Sequence, residues 1–211
     1  MAPLTGVGST EPARSADAGM YGAGAGIQAT VCSANPHKLA EFQALFGDWE
    51  LELLGAADFP PEDGATYADN ARIKARHGRT VGPRDRWMLA DDSGIEVAAL
   101  GGGPGVLTAR WAEGRHVEKL HAALEGEGDR RAQYVCELVA IPPDGDEVVG
   151  GGVLRGAIAL VPAGGEGFGF DPIFVPDGET RTVAELGDDW KAEHSHRALA
   201  ARALLQALSR R

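Results

Sequence analysis

The period of apolar and polar positions changes several times along this chain. Residues 27–32, Ile-Gln-Ala-Thr-Val-Cys, form a short apolar run with β-branched members and read as a first strand. Leu39, Phe42, Leu45 and Phe46 then recur at helical spacing. Asn35 stands where an N-cap belongs, Pro36 takes the first helical position, and Gly47 lies past the end. Residues 50–54 read as a second strand and residues 59–64 as a loop. Thr66-x-x-Asp69 has the form of a capping box and opens a helix expected to run to about His77. A short strand, 87–90, feeds into an aspartate pair. Val117, Leu120 and Leu124 mark another helix, closed by Gly126.

In the second half strands pair through short turns. Residues 134–141 read as a strand, Pro142-Pro143-Asp144-Gly145 as a turn, and 147–149 as the hairpin partner. Residues 153–159 read as a further strand. The last helix is expected over 195–208, with Leu199, Leu204 and Leu208 inward. Alternating strands and helices followed by hairpins predict an α/β fold: an elongated mixed central sheet flanked by helices, with a cleft between two lobes.

Composition narrows the classes. A chain of 211 residues buries a proper core as one two-lobed unit, 27–211. A net charge of -11 argues against a partner that is a nucleic acid polymer, since such a surface needs clustered Lys and Arg. It leaves room for a small, locally basic pocket. No apolar run reaches membrane-spanning length. Residues 1–26 are rich in Gly, Ala, Ser and Pro and lack the apolar segment of a secretory signal, so they read as a disordered tail or as residues ahead of an alternative start. The two cysteines, Cys32 and Cys136, sit in separate apolar runs and read as buried free thiols ahead of a single long-range disulfide. With no targeting signal, a cytoplasmic location is expected.

Four stretches carry candidate chemistry. In Ser33-Ala34-Asn35-Pro36-His37-Lys38 a strand ends and a helix begins, which offers free amides and a lysine to a phosphate. Leu89-Ala90-Asp91-Asp92-Ser93-Gly94 puts two carboxylates at the end of an apolar run. There they hold a hard cation and activate a water, or else form a solvated turn. Glu62 in the earlier loop is a candidate third carboxylate. Gly167-Phe168-Gly169-Phe170-Asp171 flanks a glycine with aromatics on which a base can stack, or which belong to the core. Lys191 precedes Ser195-His196-Arg197, which place cations at a helix start. That is unfavourable unless they serve an anion or a keto oxygen.

Taken together these stretches resemble the Ham1/RdgB family, the inosine triphosphate (dITP/XTP) pyrophosphatases. The matching segments are Ser33-x-Asn35-x-x-Lys38, Asp69-Asn70-Ala71-Arg72-Ile73-Lys74-Ala75, the segment from Leu89 to Gly94, Leu100-Gly101-Gly102-x-Pro104-Gly105-Val106-x-x-Ala109-Arg110, the segment from Gly167 to Phe174, and Ser195-His196-Arg197. The resemblance runs from about Val31 to Leu205. It implies hydrolysis of ITP, dITP and XTP to the monophosphate and pyrophosphate, with Mg²⁺, by a homodimer that keeps deaminated purines out of DNA and RNA.

Carried over by position, the loop Ser33, Ala34, Asn35, Pro36, His37 and Lys38 contacts substrate, with Ser33, Asn35 and Lys38 on the triphosphate. Asp92 is the general base and a metal ligand, and Glu62 is a second metal contact. Ser93 touches substrate. Phe168 stacks on the base beside Gly169, Phe170 and Asp171. Lys191, His196 and Arg197 read the purine edge. The Maf-type nucleotide pyrophosphatases are the competing enzyme reading, and the Phe-Gly-Phe-Asp and Ser-His-Arg segments disfavour it. Pro36 and His37 replace small residues common in the family, and Glu137 interrupts a strand that is usually apolar.

Overall fold

A computed structural model describes residues 26–33, 35–55 and 58–211. All of the expected tail except Gly26 lies outside these residues, as does Ala34, and nothing is said of the Pro36 side chain. In chain order the regular elements are β1 (Gln28–Val31), α1 (Pro36–Leu45), β2 (Glu50–Leu53), α2 (Tyr67–Val81), β3 (Trp87–Val97), α3 (Thr108–Ala112) and α4 (His116–Ala123). They continue with β4 (Arg131–Ile141), β5 (Val148–Ile158), β6 (Phe174–Pro176), α5 (Val183–His194) and α6 (His196–Leu208). One six-stranded sheet has the order β2-β1-β3-β4-β5-β6. β1 pairs in parallel with β2 and β3, and the remaining pairs are antiparallel. The fold is the mixed α/β sheet that the pattern predicts.

Three 11-residue strands, β3, β4 and β5, make the sheet long. At 3.3 Å per residue each spans roughly 36 Å. Two of them correct the sequence reading. β3 does not stop at Ala90; it runs straight through Asp91-Asp92-Ser93-Gly94 to Val97. β5 is one strand where two were expected, because Gly150-Gly151-Gly152 continues the pairing with β4. Gly150 and Gly152 let a helix lie flat on the sheet. A Cβ on Gly150 would collide with the Ala200 carbonyl of α6, and one on Gly152 with the His196 carbonyl.

Side chains alternate along β3, so its two faces pack differently. On one face Leu89 joins Phe42, Phe46, Trp87, Leu138 and Leu204, a core cluster beneath α1 and α6. Further along the same face Ile95 and Val97 join Leu120, Tyr134, Ile173 and Phe174, a second cluster under α4 and α5. Asp91 and Ser93 fall between the two clusters. This polar break in an otherwise apolar face is where the cleft opens. The opposite face packs Met88 and Ala90 against Ala71 and Ala75 of α2.

The helix ends follow local rules. Asn35 accepts from the His37 amide, Thr66 from Asp69 and Ser195 from Ala198. Thr182 and Glu185 close a reciprocal capping box at α5, a helix the apolar pattern does not predict. Gly187, at φ 88°, kinks that helix and breaks its apolar period. Cys32 and Cys136 are free and buried, and burial pushes the Cys32 thiol up to about 12.

Candidate active site

β1 ends at Val31, paired with Leu89, while β3 continues for eight residues more. Beyond Leu89 the edge of β3 on that side is open, and the loop after β1 turns across it. Crevices outside the carboxyl ends of parallel strands are where ligands enter α/β sheets. A cavity of about 260 Å³ lies there, lined among others by Asn35, Lys38, Glu62, Asp92, Ser93, Phe168, Asp171, His196 and Arg197. A wider opening of about 770 Å³ continues from it past Ser33, Lys74 and Arg110.

The loop after β1 is self-braced. The Asn35 amide donates to Ser33 Oγ at 3.1 Å, and the His37 amide donates to Asn35 Oδ1 at 3.0 Å. Lys38, in the first turn of α1, reaches down to Asp91 Oδ1 at 2.9 Å. Asp91 is 1% exposed, which excludes the solvated turn. Burial alone would raise its carboxyl, but Lys38, Arg197 and Lys74 outweigh it and hold it below the usual range.

Asp92 points to the other face. Asn70 Nδ2 donates to its Oδ2 at 3.0 Å, and Lys74 Nζ lies 3.4 Å from its Oδ1. The same ammonium donates to Glu62 Oε1 at 2.6 Å, so the two candidate metal carboxylates converge on one cation. Burial lifts the Asp92 carboxyl above its ordinary range despite Lys74 and Asn70, and Glu62 adds to the lift. Asn70, itself 0% exposed, also accepts from the Gly64 amide and ties the Glu62 loop to Asp92.

The other wall carries the aromatic and basic residues. Asp171 is a hub: it accepts from Tyr134 Oη at 3.2 Å, the Phe168 amide at 2.9 Å and Lys191 Nζ at 3.0 Å. Gly167, at φ 75°, allows that closure, since a Cβ there would collide with the Asp171 carboxylate. The Phe168 ring lies at the cleft with Lys191 Nζ 4.7 Å and the Arg197 guanidinium 5.5 Å from its centroid. Gly169, at φ 66°, follows it in the same cleft wall. Phe170 is 3% exposed, packs in the second core cluster and meets His116 edge-on at 5.0 Å.

His196 and Arg197 differ from the cation pair expected at a helix start. His196 is buried, stacks on Tyr134 at 4.8 Å, and leaves Nδ1 without a partner. Burial, with the Arg197 charge beside it, pushes its pKa well below the usual histidine value, so the ring is neutral. Arg197 stays charged, and carboxylates offset the helix dipole. Its Nη1 donates to Glu41 at 2.9 Å, its Nη2 donates to Ser93 Oγ at 2.9 Å, and its Nε lies 3.5 Å from Asp91. One hydrogen on each terminal nitrogen is left over. Glu41 also takes Lys191 at 2.9 Å and so links the two basic residues.

The structure therefore gathers Ser33, Asn35, Lys38, Glu62, Asp92, Ser93, Phe168, Gly169, Phe170, Asp171, Lys191, His196 and Arg197 around one cleft. It adds Glu41, Asn70, Lys74, Tyr134 and His116, to which the sequence reading gave no role. Asn70 and Lys74 lay within a matching segment, and their place on the buried stripe of α2 beside Ala71 and Ala75 was the available signal. Among the described residues no group of three or more His, Cys, Asp or Glu is arranged to hold a metal by itself.

The Ham1 family pattern matches residues 29–207. The dITP/XTP pyrophosphatase of Mycobacteroides abscessus is 45% identical over 194 residues, covering 84% of this chain and 93% of that protein. The dITP/XTP pyrophosphatase of Bdellovibrio bacteriovorus is 40% identical over 191 residues, covering 84% and 96%. The solved structure of a HAM1 protein from Coxiella burnetii superposes with a TM-score of 0.75 at 35% identity, covering 88% of this chain and 100% of that one. The chain belongs to the Ham1 family.

Proposed function

We propose that this protein is a nucleoside-triphosphate pyrophosphatase that hydrolyses ITP, dITP and XTP to the monophosphate and pyrophosphate. The observation that carries the reading is the polarity of the cleft. Lysines and carboxylates (Lys38, Lys74, Asp92, Glu62) stand at one end, and an aromatic ring with base-edge donors (Phe168, Lys191, His196, Arg197) at the other. A triphosphate and a purine fit those two ends in that order.

Attack at a phosphoanhydride is governed by positioning and charge neutralisation. Lys38 and Lys74 supply fixed positive charge, exchanging Asp91, Asp92 and Glu62 for phosphate oxygens as partners. Asp92 takes the proton of the attacking water. Asn70 fixes its orientation. Hard carboxylate oxygens of Asp92 and Glu62, already converging on one ammonium, suit Mg²⁺, which takes one or two carboxylates together with substrate phosphates. When bound, that ion neutralises phosphate charge.

Purine selection rests on Arg197 and His196. The spare Arg197 hydrogens suit a 6-keto oxygen and oppose a 6-amino group. Neutral His196 adds an unpaired Nδ1 in the same wall. The reading extends to a homodimer in the cytoplasm; no helix among the described residues is long and apolar enough to cross a membrane. Pyrophosphate release from ITP and XTP, blocked by EDTA and restored by Mg²⁺, is the expected result. Release from ATP equal to that from ITP contradicts the selectivity, and release unaffected by EDTA contradicts the metal.

A further inference from the structure

Phe168 is an unusual platform. It sits between two glycines of positive φ, belongs to none of the three core clusters, and is only half-buried. Its amide is fixed by Asp171, and side chains stand around its ring. Two of these, Lys191 and Arg197, are already committed to Glu41, Asp171 and Ser93. The third is His37, whose ring stacks on Phe168 with centroids 5.8 Å apart and planes 28° apart.

The His37 side chain is exposed, and among the described residues Phe168 is the one aromatic ring it meets. Its backbone is anchored, however. The amide donates to the Asn35 cap, and α1 is pinned to the sheet by the buried Phe42 and Phe46. The same turn of helix carries Lys38, whose ammonium points into the phosphate end of the cleft. A rigid helix start thus contacts both ends of the site.

From this juxtaposition we infer that His37 is a positioning residue for the nucleobase: stacked on Phe168, it holds that ring in place as the surface on which the purine lies. The inference rests on the proposed pyrophosphatase reading. It also separates His37 from the loop residues turned to the triphosphate, since its ring addresses the base and not the phosphates.

The test uses the full-length protein with His37→Ala, His37→Phe, Phe168→Ala and the double variant His37→Ala/Phe168→Ala. Steady-state hydrolysis of ITP is measured, together with competitive inhibition by inorganic tripolyphosphate, which has no base. His37→Ala is expected to raise KM for ITP about threefold to tenfold, the size of one aromatic pair contact. Its kcat and its inhibition by tripolyphosphate should stay as in the wild type. His37→Phe restores KM, and in the Phe168→Ala background the His37 change adds nothing further.

An unchanged KM in His37→Ala overturns the inference, as does a full additional effect in the Phe168→Ala background. An equal loss of tripolyphosphate inhibition assigns His37 to the phosphates instead. In all three cases wild-type ITP hydrolysis persists, so the pyrophosphatase reading survives. Wild-type protein that neither hydrolyses nor binds ITP refutes that reading, and the inference falls with it.

Discussion

Asp91 and Asp92 are adjacent in the chain but serve opposite faces of one strand. Asp91 accepts from Lys38 at 2.9 Å on the face under α1 and α6, whereas Asp92 accepts from Asn70 at 3.0 Å on the face under α2. Their environments push them apart: the cations around Asp91 override its burial and lower its carboxyl, while burial of Asp92 prevails and raises it. The pair is therefore one structural anion and one candidate base. Divergent carboxylates of this kind mark acid-base assignments.

Substitution of Asp92 by Asn follows directly. The amide keeps the shape, loses the proton acceptor, and is expected to lower kcat about 10²- to 10⁴-fold. Nucleotide binding, followed by a thermal shift with ITP, should persist. Activity within a few-fold of wild type in Asp92→Asn contradicts the role.

A pH dependence of stability follows from His196. Its folded pKa lies well below the unfolded value of about 6.5, through burial first and the Arg197 charge second. A histidine that refuses a proton when folded contributes stability that is full above that value and declines as pH falls below it. Lys38 and Lys191 act in the same direction as Arg197, and Asp91 opposes them. The slope approaches about 1.4 kcal/mol per pH unit on the acid side. Denaturant unfolding of wild type and His196→Gln between pH 8 and pH 5 measures it, and equal slopes in the two proteins count against a neutral, buried His196.

Gly152 tests how the site is held together. An added Cβ collides with the His196 carbonyl and lies 2.5 Å from the Ala200 amide, so α6 has to move off β5. Gly152→Ala is expected to cost about 1–3 kcal/mol by overpacking. It should also raise KM for ITP, because His196 and Arg197 ride on the first turn of that helix. A stable variant with unchanged KM argues that the base-reading residues are positioned independently of this contact.

Arg197 is buried and ion-paired, so its removal leaves Glu41 and Asp91 under-compensated. Arg197→Lys is the cleaner probe, since it keeps the charge and loses the planar fork. It is expected to reduce the preference for ITP over ATP by about tenfold or more. Thermal unfolding of the same variant separates selectivity from stability, and an unaltered ITP/ATP ratio removes Arg197 from base discrimination.

Sequence signals were strongest where the cause is local. The Asn35 and Thr66 caps and the apolar stripe of α1 depend on neighbours in the chain, and they are found in place. The failures have tertiary causes. Aspartates and a glycine inside β3 look like a turn until Lys38, Lys74 and Arg197, from three different helices, neutralise them. Gly150-Gly151-Gly152 in β5 reads as a break, whereas Gly150 and Gly152 admit the close approach of α6. α5 stayed hidden because its kink at Gly187 interrupts the period. Glu41 and Tyr134 sit on regular elements with ordinary surroundings in sequence, and their partners, Arg197 and Asp171, lie far along the chain.

The proposed function joins triphosphate hydrolysis and recognition of a 6-keto purine in one cleft. Pyrophosphate release from ITP, XTP and ATP, each with Mg²⁺ and with EDTA, tests both parts at once. Rapid, Mg²⁺-dependent release from ITP and XTP with little from ATP is expected. Comparable rates with ITP and ATP, or no release from any of the three, contradict it.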